Sequence, residues 1–279
     1  MTGSTNADLA AEAAESASGR VLVTEEQLQG RGRAGRGWIC PPGAGLMFSV
    51  LLREPAIPPE RRGWLGAALG VGIAHAIRET SDLPAELKWP NDVLIGGLKC
   101  AGILGEVTGD ALIVGSGINV TVDRSDLPRA DATSLWLAGA SRLDRSELLA
   151  AILDDFGSTL DRWVAAGGNV DAGGLRERYL QVCSTVGTPV RVELPGGRLV
   201  TGRATDVDPS GALVVRDERG VSASYSAADV VHLRPEQGPP SGLPLPDFTD
   251  CTVTRVEAEN VPADGAVGSP GAGSPGTSG

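Results

Sequence analysis

Apolar residues recur at helical spacing in four parts of the chain. The clearest case is the series Trp64, Leu65, Leu69, Ile73 and Ile77, in which an apolar residue returns every three to four positions. A proline at the start of this series suits the first turn of a helix. The pattern predicts helices over residues 4–17, 59–80, 145–166 and 175–182.

Short runs rich in β-branched and aliphatic residues lie between these helices and predict strands. They cover residues 20–25, 46–53, 86–89, 98–107 and 111–120, with Gly96-Gly97 and Gly109-Asp110 as hairpin turns. Helices and strands therefore intermingle along the first two thirds of the chain. We expect an α/β (α+β) catalytic domain with a mixed, largely antiparallel sheet that is flanked by helices.

The sequence pattern changes after residue 187, from mixed helices and strands to short strands. Five short β-rich runs follow within about fifty residues, separated by turns of the type PGG, DPSG and DERG, and this pattern is typical of a small SH3-like barrel. Beyond Arg234 the chain is rich in Pro, Gly and Ser, which predicts a disordered tail. The expected domains are residues 1–184 (catalytic), 185–235 (barrel) and 236–279 (tail).

Composition narrows the function classes. The chain has 279 residues, 41% of them apolar, and no apolar run reaches the eighteen residues of a membrane span. The N-terminus lacks the features of a signal peptide, and four scattered cysteines fit a reducing cytosol better than a zinc site or disulfide framework. We expect a cytoplasmic protein without membrane contact. The net charge of −11 disfavours a general polyphosphate binder.

Residues 30–38, GRGRAGRGW, come after a strand and satisfy the letters of a dinucleotide-binding turn. That turn needs a helix directly afterwards, and Pro41-Pro42 excludes one. A P-loop would need Lys-Ser/Thr after Gly35, where Arg36-Gly37 stands. The remaining interpretation is a loop whose three arginines suit a phosphate or carboxylate. The alternatives are an exposed loop and a nucleic-acid-binding RGG tract.

Lysine is rare, since Lys88 and Lys99 are the only two among 24 basic residues. Pro90-Asn91-Asp92 between them predicts a turn with polar groups at the end of a strand. The ammonium of Lys99 then projects from a rigid strand, although a solvated hairpin face would explain it too.

Two further segments stand out. Glycines within the strand that holds Gly115 and Gly117 indicate close approach of a ligand or of another backbone, and Asn119 lies just after them. Ser4-Thr5-Asn6 suits either helix capping or ligand contact.

In order and spacing, these segments resemble the catalytic domain of the biotin–protein ligases (biotin–[acetyl-CoA-carboxylase] ligases). The matching motifs are GSTN, Q-x-x-GRGRxGRxW, KWPND, K-x-AGIL-x-E and G-x-GIN, from Gly3 to Asn119, and the predicted barrel resembles the final domain of that family. The resemblance implies that biotin and ATP condense to biotinyl-5′-AMP and pyrophosphate. Biotin then passes to a lysine of a biotin carboxyl carrier protein of a carboxylase. Mg²⁺ is expected with ATP.

The resemblance also implies roles for single residues. Lys99 and Arg33 would be catalytic. The implied biotin-binding residues are Ser4, Thr5, Asn6, Gln27, Gly30, Arg31, Gly32, Arg33, Lys99, Gly102, Gly115 and Gly117. The implied ATP- or adenylate-binding residues are Arg33, Arg36, Trp38, Lys88, Asn91, Asp92, Lys99 and Asn119.

The sequence supports three further expectations. Cys100 should be a small buried hydrophobe. Family members that repress transcription carry an N-terminal helix-turn-helix, and no such segment precedes Ser4, so DNA binding is not expected. Residues 30–38 should be mobile in the empty protein. Two other functions stay open: a lipoate–protein ligase, and an arginine-loop protein that binds nucleic acid.

Overall fold

The computed structural model describes residues 1–194, 197–226 and 229–232. The predicted tail, residues 236–279, lies outside the described residues, as do the last three residues of the predicted barrel. In the described part of the chain, no helix is long and apolar enough to cross a bilayer.

A six-stranded sheet forms the centre of the fold. Its strands are β1 (Arg20–Thr24), β2 (Gly45–Leu52), β3 (Ala85–Lys88), β4 (Asp92–Ile95), β5 (Leu98–Thr108) and β6 (Ala111–Asn119). The strand order is β1-β2-β6-β5-β4-β3, and each of these neighbours pairs antiparallel. Isolated parallel bridges, such as Leu87 to Cys183, add to the ladders. The predicted largely antiparallel sheet is confirmed.

Helices cover both faces of this sheet. The helices are α1 (Thr5–Ala11), α2 (Trp64–Ser81), α3 (Arg145–Ala165) and α4 (Leu175–Val182). Along β2, alternate side chains enter different cores: Val50 joins the large core with α2, α3 and α4, whereas Leu51 packs with Leu9 of α1. Alternation is the expected period of a strand, and burial on both faces explains why β2 is apolar almost throughout.

The face under α1 is only half covered by that short helix. Leu51, Ala111 and Ile113 pack against α1. Further along the same face come Ser49 and its direct neighbour Gly115, and then the pair Gly117 and Gly102. Because these residues are small, side chains from other elements can approach the sheet closely here, where the sheet borders a cavity.

Two predicted boundaries are corrected, and one strand is added. Helix α1 ends at Ala11, and not at residue 17, because the chain turns back through Gly19 (φ +87°) to enter β1. Residues Pro59–Arg61 form a separate 3₁₀ turn, and α2 begins at Trp64. Strand β4 was not predicted, because its four residues come directly after the Pro90-Asn91 turn.

The C-terminal part is an SH3-like antiparallel sheet of five strands, β7 (Pro189–Glu193), β8 (Leu199–Val207), β9 (Leu213–Arg216), β10 (Ser222–Tyr225) and β11 (Asp229–His232). Their order is β10-β9-β8-β7-β11. Side chains such as Val190 and Val215 belong to the same apolar core as the first sheet. The Trp64 indole also donates a hydrogen bond of 3.0 Å to the carbonyl of Pro209. The domain boundaries at 184/185 and 235/236 stay predictions.

Candidate functional site

A cavity of about 730 Å³ lies on the α1 face of the six-stranded sheet. Its walls include residues from the start of α1, from the segment 31–39, from the turn before β4 and from strands β7 and β11. Every predicted site residue except Gly30 lines it. Gly30 closes the base of the loop, where its carbonyl accepts a 2.9 Å hydrogen bond from the Trp38 amide. The fold thus gathers segments from distant parts of the sequence around one space.

One end of the cavity, here called the polar end, consists of Thr5, Asn6, Gln27 and Ser49. The Gln27 Oε1 accepts from the Thr5 amide at 2.9 Å and lies 3.1 Å from the Thr5 hydroxyl. A backbone amide can only donate, so this bond fixes which end of the Gln27 amide is oxygen. The Gln27 Nε2 is thereby the donor that this side chain can offer to a ligand.

Ser49 connects Thr5 with Asn6 in the polar end. It was not predicted as a site residue. Its fully buried hydroxyl lies 2.7 Å from Thr5 Oγ1 and 2.6 Å from Asn6 Oδ1. One hydroxyl proton serves one of these acceptors at a time. A signal was present in the sequence, because Ser49 is the one polar residue in the run GLMFSVLL.

Asn6 is held from three sides. Its Nδ2 donates to Glu106 Oε2 at 2.8 Å and to the Leu104 carbonyl at 3.3 Å, while Oδ1 faces Ser49. Ser4 stands at the N-cap position of α1, but its side chain makes no capping bond. The residues of the Ser4-Thr5-Asn6 motif are all buried. The bonds of Thr5 and Asn6 across to β2 and β5 show more than a capping role.

The glycines of the sheet accommodate side chains of the chain itself. A Cβ on Gly115 would collide with Asn6 Oδ1 and Ser49 Oγ, and one on Gly117 would collide with the Trp38 indole. Trp38 also lies over Gly102, where an added Cβ would come within 3.2 Å of Cζ3. The indole therefore rests on the paired glycines 102 and 117. In the described part of the chain, the buried Trp38 Nε1 finds no hydrogen-bond partner.

Residues 30–38, here called the arginine loop, fold back on themselves. Arg31 and Gly37 form an isolated antiparallel β-bridge, and the Gly32 amide donates a hydrogen bond to the Arg36 carbonyl at 2.6 Å. Arg31, Arg33 and Arg36 all line the cavity. Arg33 Nη1 reaches Asn91 Oδ1 at 3.4 Å, and Arg31 Nη1 stands 3.9 Å from Glu106 Oε1. A partly exposed ion pair as long as that of Arg31 holds its side chain weakly.

Lys99 is a cation in the cavity wall. Its Nζ lies 2.6 Å from Asp92 Oδ1 and 5.8 Å from the centroid of the Trp38 ring. The Lys99 amide donates a hydrogen bond to the Asp131 carbonyl, and the Lys99 carbonyl accepts one from the Thr133 amide, each at 2.8 Å. Asn91 is oriented by a 2.9 Å bond from its Nδ2 to the Ile103 carbonyl. Beside Lys99, Cys100 is fully buried, so the predicted burial of this small residue is confirmed, and the burial raises its pKa to about 12.

The structure adds wall residues that carried no sequence signal. Arg129 and Asp131 line the cavity near Lys88 and form a bidentate pair at 2.7 and 2.6 Å. The hydrogen bond from Arg129 lowers the pKa of Asp131, despite partial burial. Thr188 and His232 reach the wall from the barrel. Their approach depends on how the two sheets meet, which local patterns do not show.

Two chemistries thus meet in one cavity. The polar end offers uncharged amides and hydroxyls, which suit a neutral head group with both donors and acceptors. Lys99 and the arginine loop offer cations, which suit carboxylate and phosphate. The arrangement can bring an acid with a polar head against a nucleotide.

Comparison with known proteins agrees with this geometry. Residues 2–123 match the Biotin/lipoate A/B protein ligase family, and residues 185–233 match the Biotin protein ligase C terminal domain. The chain is 42% identical over 239 residues to a biotin--[acetyl-CoA-carboxylase] ligase of Mycobacterium tuberculosis, covering 84% of this chain and 87% of that one. The Paracoccus denitrificans ligase of the same name is 31% identical over 237 residues, covering 78% and 93%.

Among solved structures, the fold is similar to the biotin protein ligase of Aquifex aeolicus in complex with biotin and ATP. The TM-score is 0.70 at 27% identity, over 83% of this chain and 96% of that one. The first family description covers both biotin and lipoate ligases, whereas the second is specific to biotin. This chain belongs to the biotin protein ligase family.

Proposed function

We propose that this chain is a biotin–protein ligase that forms biotinyl-5′-AMP from biotin and ATP and transfers biotin to a carrier lysine. The observation that carries the proposal is the cavity itself, in which a neutral polar end and a cationic wall face one space. Biotin has the matching form, because a ureido head stands at one end and a carboxylate at the other.

The polar end would bind the ureido head of biotin through hydrogen bonds. The ureido carbonyl needs donors and its two N–H groups need acceptors. Gln27 Nε2 supplies a donor, and Asn6 Oδ1 together with the hydroxyls of Ser4, Thr5 and Ser49 supplies the rest. Thr5, Asn6 and Ser49 are already buried and bonded to each other, so little ordering of these three side chains is needed on binding.

The cationic wall makes the first chemical step possible. An oxygen of the biotin carboxylate attacks the α-phosphorus of ATP, the bond to the bridging oxygen breaks, and pyrophosphate leaves. Two anions must approach for this step, and Lys99, Arg33 and Arg36 offset their repulsion. The roles of Lys99 and Arg33 as catalytic residues are part of this proposal.

The other predicted site residues would position the nucleotide and the chain of biotin. Trp38 and Asn119 would border the adenine, while Lys88, Asn91 and Asp92 would line the phosphate side. Arg31, Gly32, Gly102, Gly115 and Gly117 would border the biotin chain, with Gly30 shaping the base of the loop.

Mg²⁺ supplies further charge neutralisation when it enters on the phosphates of ATP. The cavity carboxylates Asp92 and Asp131 are paired with Lys99 and Arg129. Within the described residues, no group of three or more metal-ligating His, Cys, Asp or Glu side chains comes together. We expect the phosphates of ATP to be the ligands of Mg²⁺.

In the second step the carrier lysine attacks the activated carbonyl as a free amine, AMP leaves, and the nitrogen gives up its proton. The mixed anhydride is sensitive to water, so the arginine loop should close over it between the steps. A biotin carboxyl carrier domain of a carboxylase is the proposed partner. The cytoplasm is the proposed location, in keeping with the free buried cysteines 40, 100 and 183.

Transfer to a carrier domain tests the proposal. The chain is incubated with biotin, ATP, Mg²⁺ and a biotin carboxyl carrier domain, and intact mass spectrometry follows the carrier. We expect one ATP-dependent biotin adduct, which a carrier with arginine at the acceptor position abolishes. An adduct that forms with lipoate and not with biotin would show a lipoate ligase instead.

A further inference from the structure

Thr185 stands where the chain passes from the catalytic part into the barrel, and it is fully buried. It is not among the described residues that line the cavity. Its hydroxyl accepts a 2.9 Å hydrogen bond from the Trp89 amide and lies 2.9 Å from Nε2 of His232 on β11. One side chain therefore joins the barrel to the segment that enters the cavity wall.

Trp89 is attached to the C-terminal part at a second point. Its indole Nε1 donates a 3.0 Å hydrogen bond to the Gly211 carbonyl, in the turn between β8 and β9. Just before it, the Leu87 carbonyl accepts from the Ser184 amide at 2.8 Å. Residues 184 and 185 thus run beside the edge strand β3 and hold the end of that strand.

The proposed catalytic turn begins directly after Trp89. Asn91 lies two residues on and contacts Arg33 of the arginine loop. Asp92 comes next, and its carboxylate holds the Lys99 ammonium at 2.6 Å. A displacement of Trp89 would therefore shift the groups that orient both Arg33 and Lys99.

We propose that Thr185 is a positioning residue, through which the barrel fixes the Trp89–Asp92 turn and hence Lys99 during adenylation. This inference rests on the proposed function. Its chemistry is simple: the Trp89 amide can only donate, and the Thr185 oxygen accepts from it. The hydroxyl keeps a proton to offer to a neutral His232. A methyl group in place of the hydroxyl would leave the Trp89 amide buried without this acceptor.

Two substitutions separate the hydroxyl from the shape of the side chain. Thr185→Val keeps the volume and removes the hydroxyl, whereas Thr185→Ser keeps the hydroxyl. Thr80→Val is the matched control, because Thr80 is also buried and its hydroxyl bonds to the Ala76 carbonyl inside α2. Each variant is assayed as the full chain for the rate constant of biotin-dependent adenylation, for biotin affinity by calorimetry, and for amide hydrogen exchange of the peptide over residues 87–93.

For Thr185→Val we expect an adenylation rate constant lower by about tenfold, faster exchange at Trp89, and biotin affinity within about twofold of the parent. The polar end is built on α1, β2 and the segment after β1 that holds Gln27, and none of these contains the turn. The Thr185→Ser and Thr80→Val variants should have adenylation rate constants within about twofold of the parent. Their amide hydrogen exchange at Trp89 should equal that of the parent.

Equal loss in the serine and valine variants would overturn the proposal, and so would faster exchange at Trp89 with an unchanged rate. Hydrogen exchange needs no substrate, which keeps the two proposals distinguishable. A parent without biotin-dependent adenylation would refute the function, while unchanged exchange at Trp89 in Thr185→Val would refute the positioning role.

Discussion

The polar end and the arginine loop border the same cavity, but they are built in opposite ways. In the polar end, Thr5, Asn6 and Ser49 are at most 4% exposed, and hydrogen bonds tie them to neighbouring side chains. The Arg31 side chain is 53% exposed, and its contact with Glu106 is 3.9 Å long. One region is formed by folding, and the other keeps its charged groups near solvent.

This difference arises from the chemistry of the groups. Amides and hydroxyls can satisfy one another inside the protein, so burying them costs little once they are paired. The guanidinium groups of the arginine loop carry like charge and are closely spaced in sequence, so a phosphate or carboxylate ligand adds attraction on that side. Recognition of the neutral head can therefore be preformed, while the anion-binding side should gain order from its ligand, in line with the expected mobility of the loop.

The largest effect is expected at the cationic wall. Replacing Lys99 with alanine should lower the adenylation rate on the order of 10³-fold, because the reacting anions lose their nearest fixed cation. Pyrophosphate exchange measures the rate, and thermal unfolding checks that the fold is kept. A near-normal rate in a folded variant would remove Lys99 from the mechanism.

The rigid character of the polar end is tested by Gly115→Ala. The new methyl group would collide with Asn6 and Ser49, so we expect biotin affinity to fall roughly 10- to 100-fold. Gly105→Ala on β5 is the control, since nothing lies within 4 Å of its added Cβ. If calorimetry gives the two variants equal biotin affinity, the polar end is not a tight arrangement.

The loop should behave differently when it loses a charge. Arg33→Ala should release biotinyl-5′-AMP about tenfold faster, which appears as indiscriminate biotinylation of bystander proteins. Biotin affinity in the absence of ATP should change much less than in the glycine variant. Unchanged release of the intermediate would contradict the role of the loop in retention.

The smallest effect is expected for Glu106→Gln. Glutamine keeps an acceptor for Asn6 Nδ2 and removes the charge opposite Arg31, and partly exposed ion pairs of this length contribute little. We expect biotin affinity and adenylate release to change less than about twofold. A large change in release would mean that Glu106 anchors the loop, which would weaken the contrast between the two regions.

Local patterns predicted most of this architecture. Helical spacing located α2, α3 and α4, and turn chemistry located the hairpins at residues 96–97 and 109–110. The pattern failed where tertiary packing decides the outcome. Strand β4 is short and comes after a proline turn, so its pairing with β3 and β5 has no local signature.

The candidate site was predictable to a similar degree. The motifs supplied part of the cavity wall, because each motif is a compact sequence signal. The occupants of the space above Gly115 and Gly117 were not predictable, since Asn6, Ser49 and Trp38 reach there from distant segments. The contribution of His232 likewise depends on the contact between the two sheets.

The most direct test of the central claim is biotin-dependent exchange of pyrophosphate into ATP by the full chain, with lipoate assayed in parallel. Exchange requires one site to hold an acid and ATP together and to form the acyl-adenylate reversibly. We predict exchange with biotin that depends on Lys99, and none with lipoate. Exchange with lipoate alone, or none with either acid, would contradict the account.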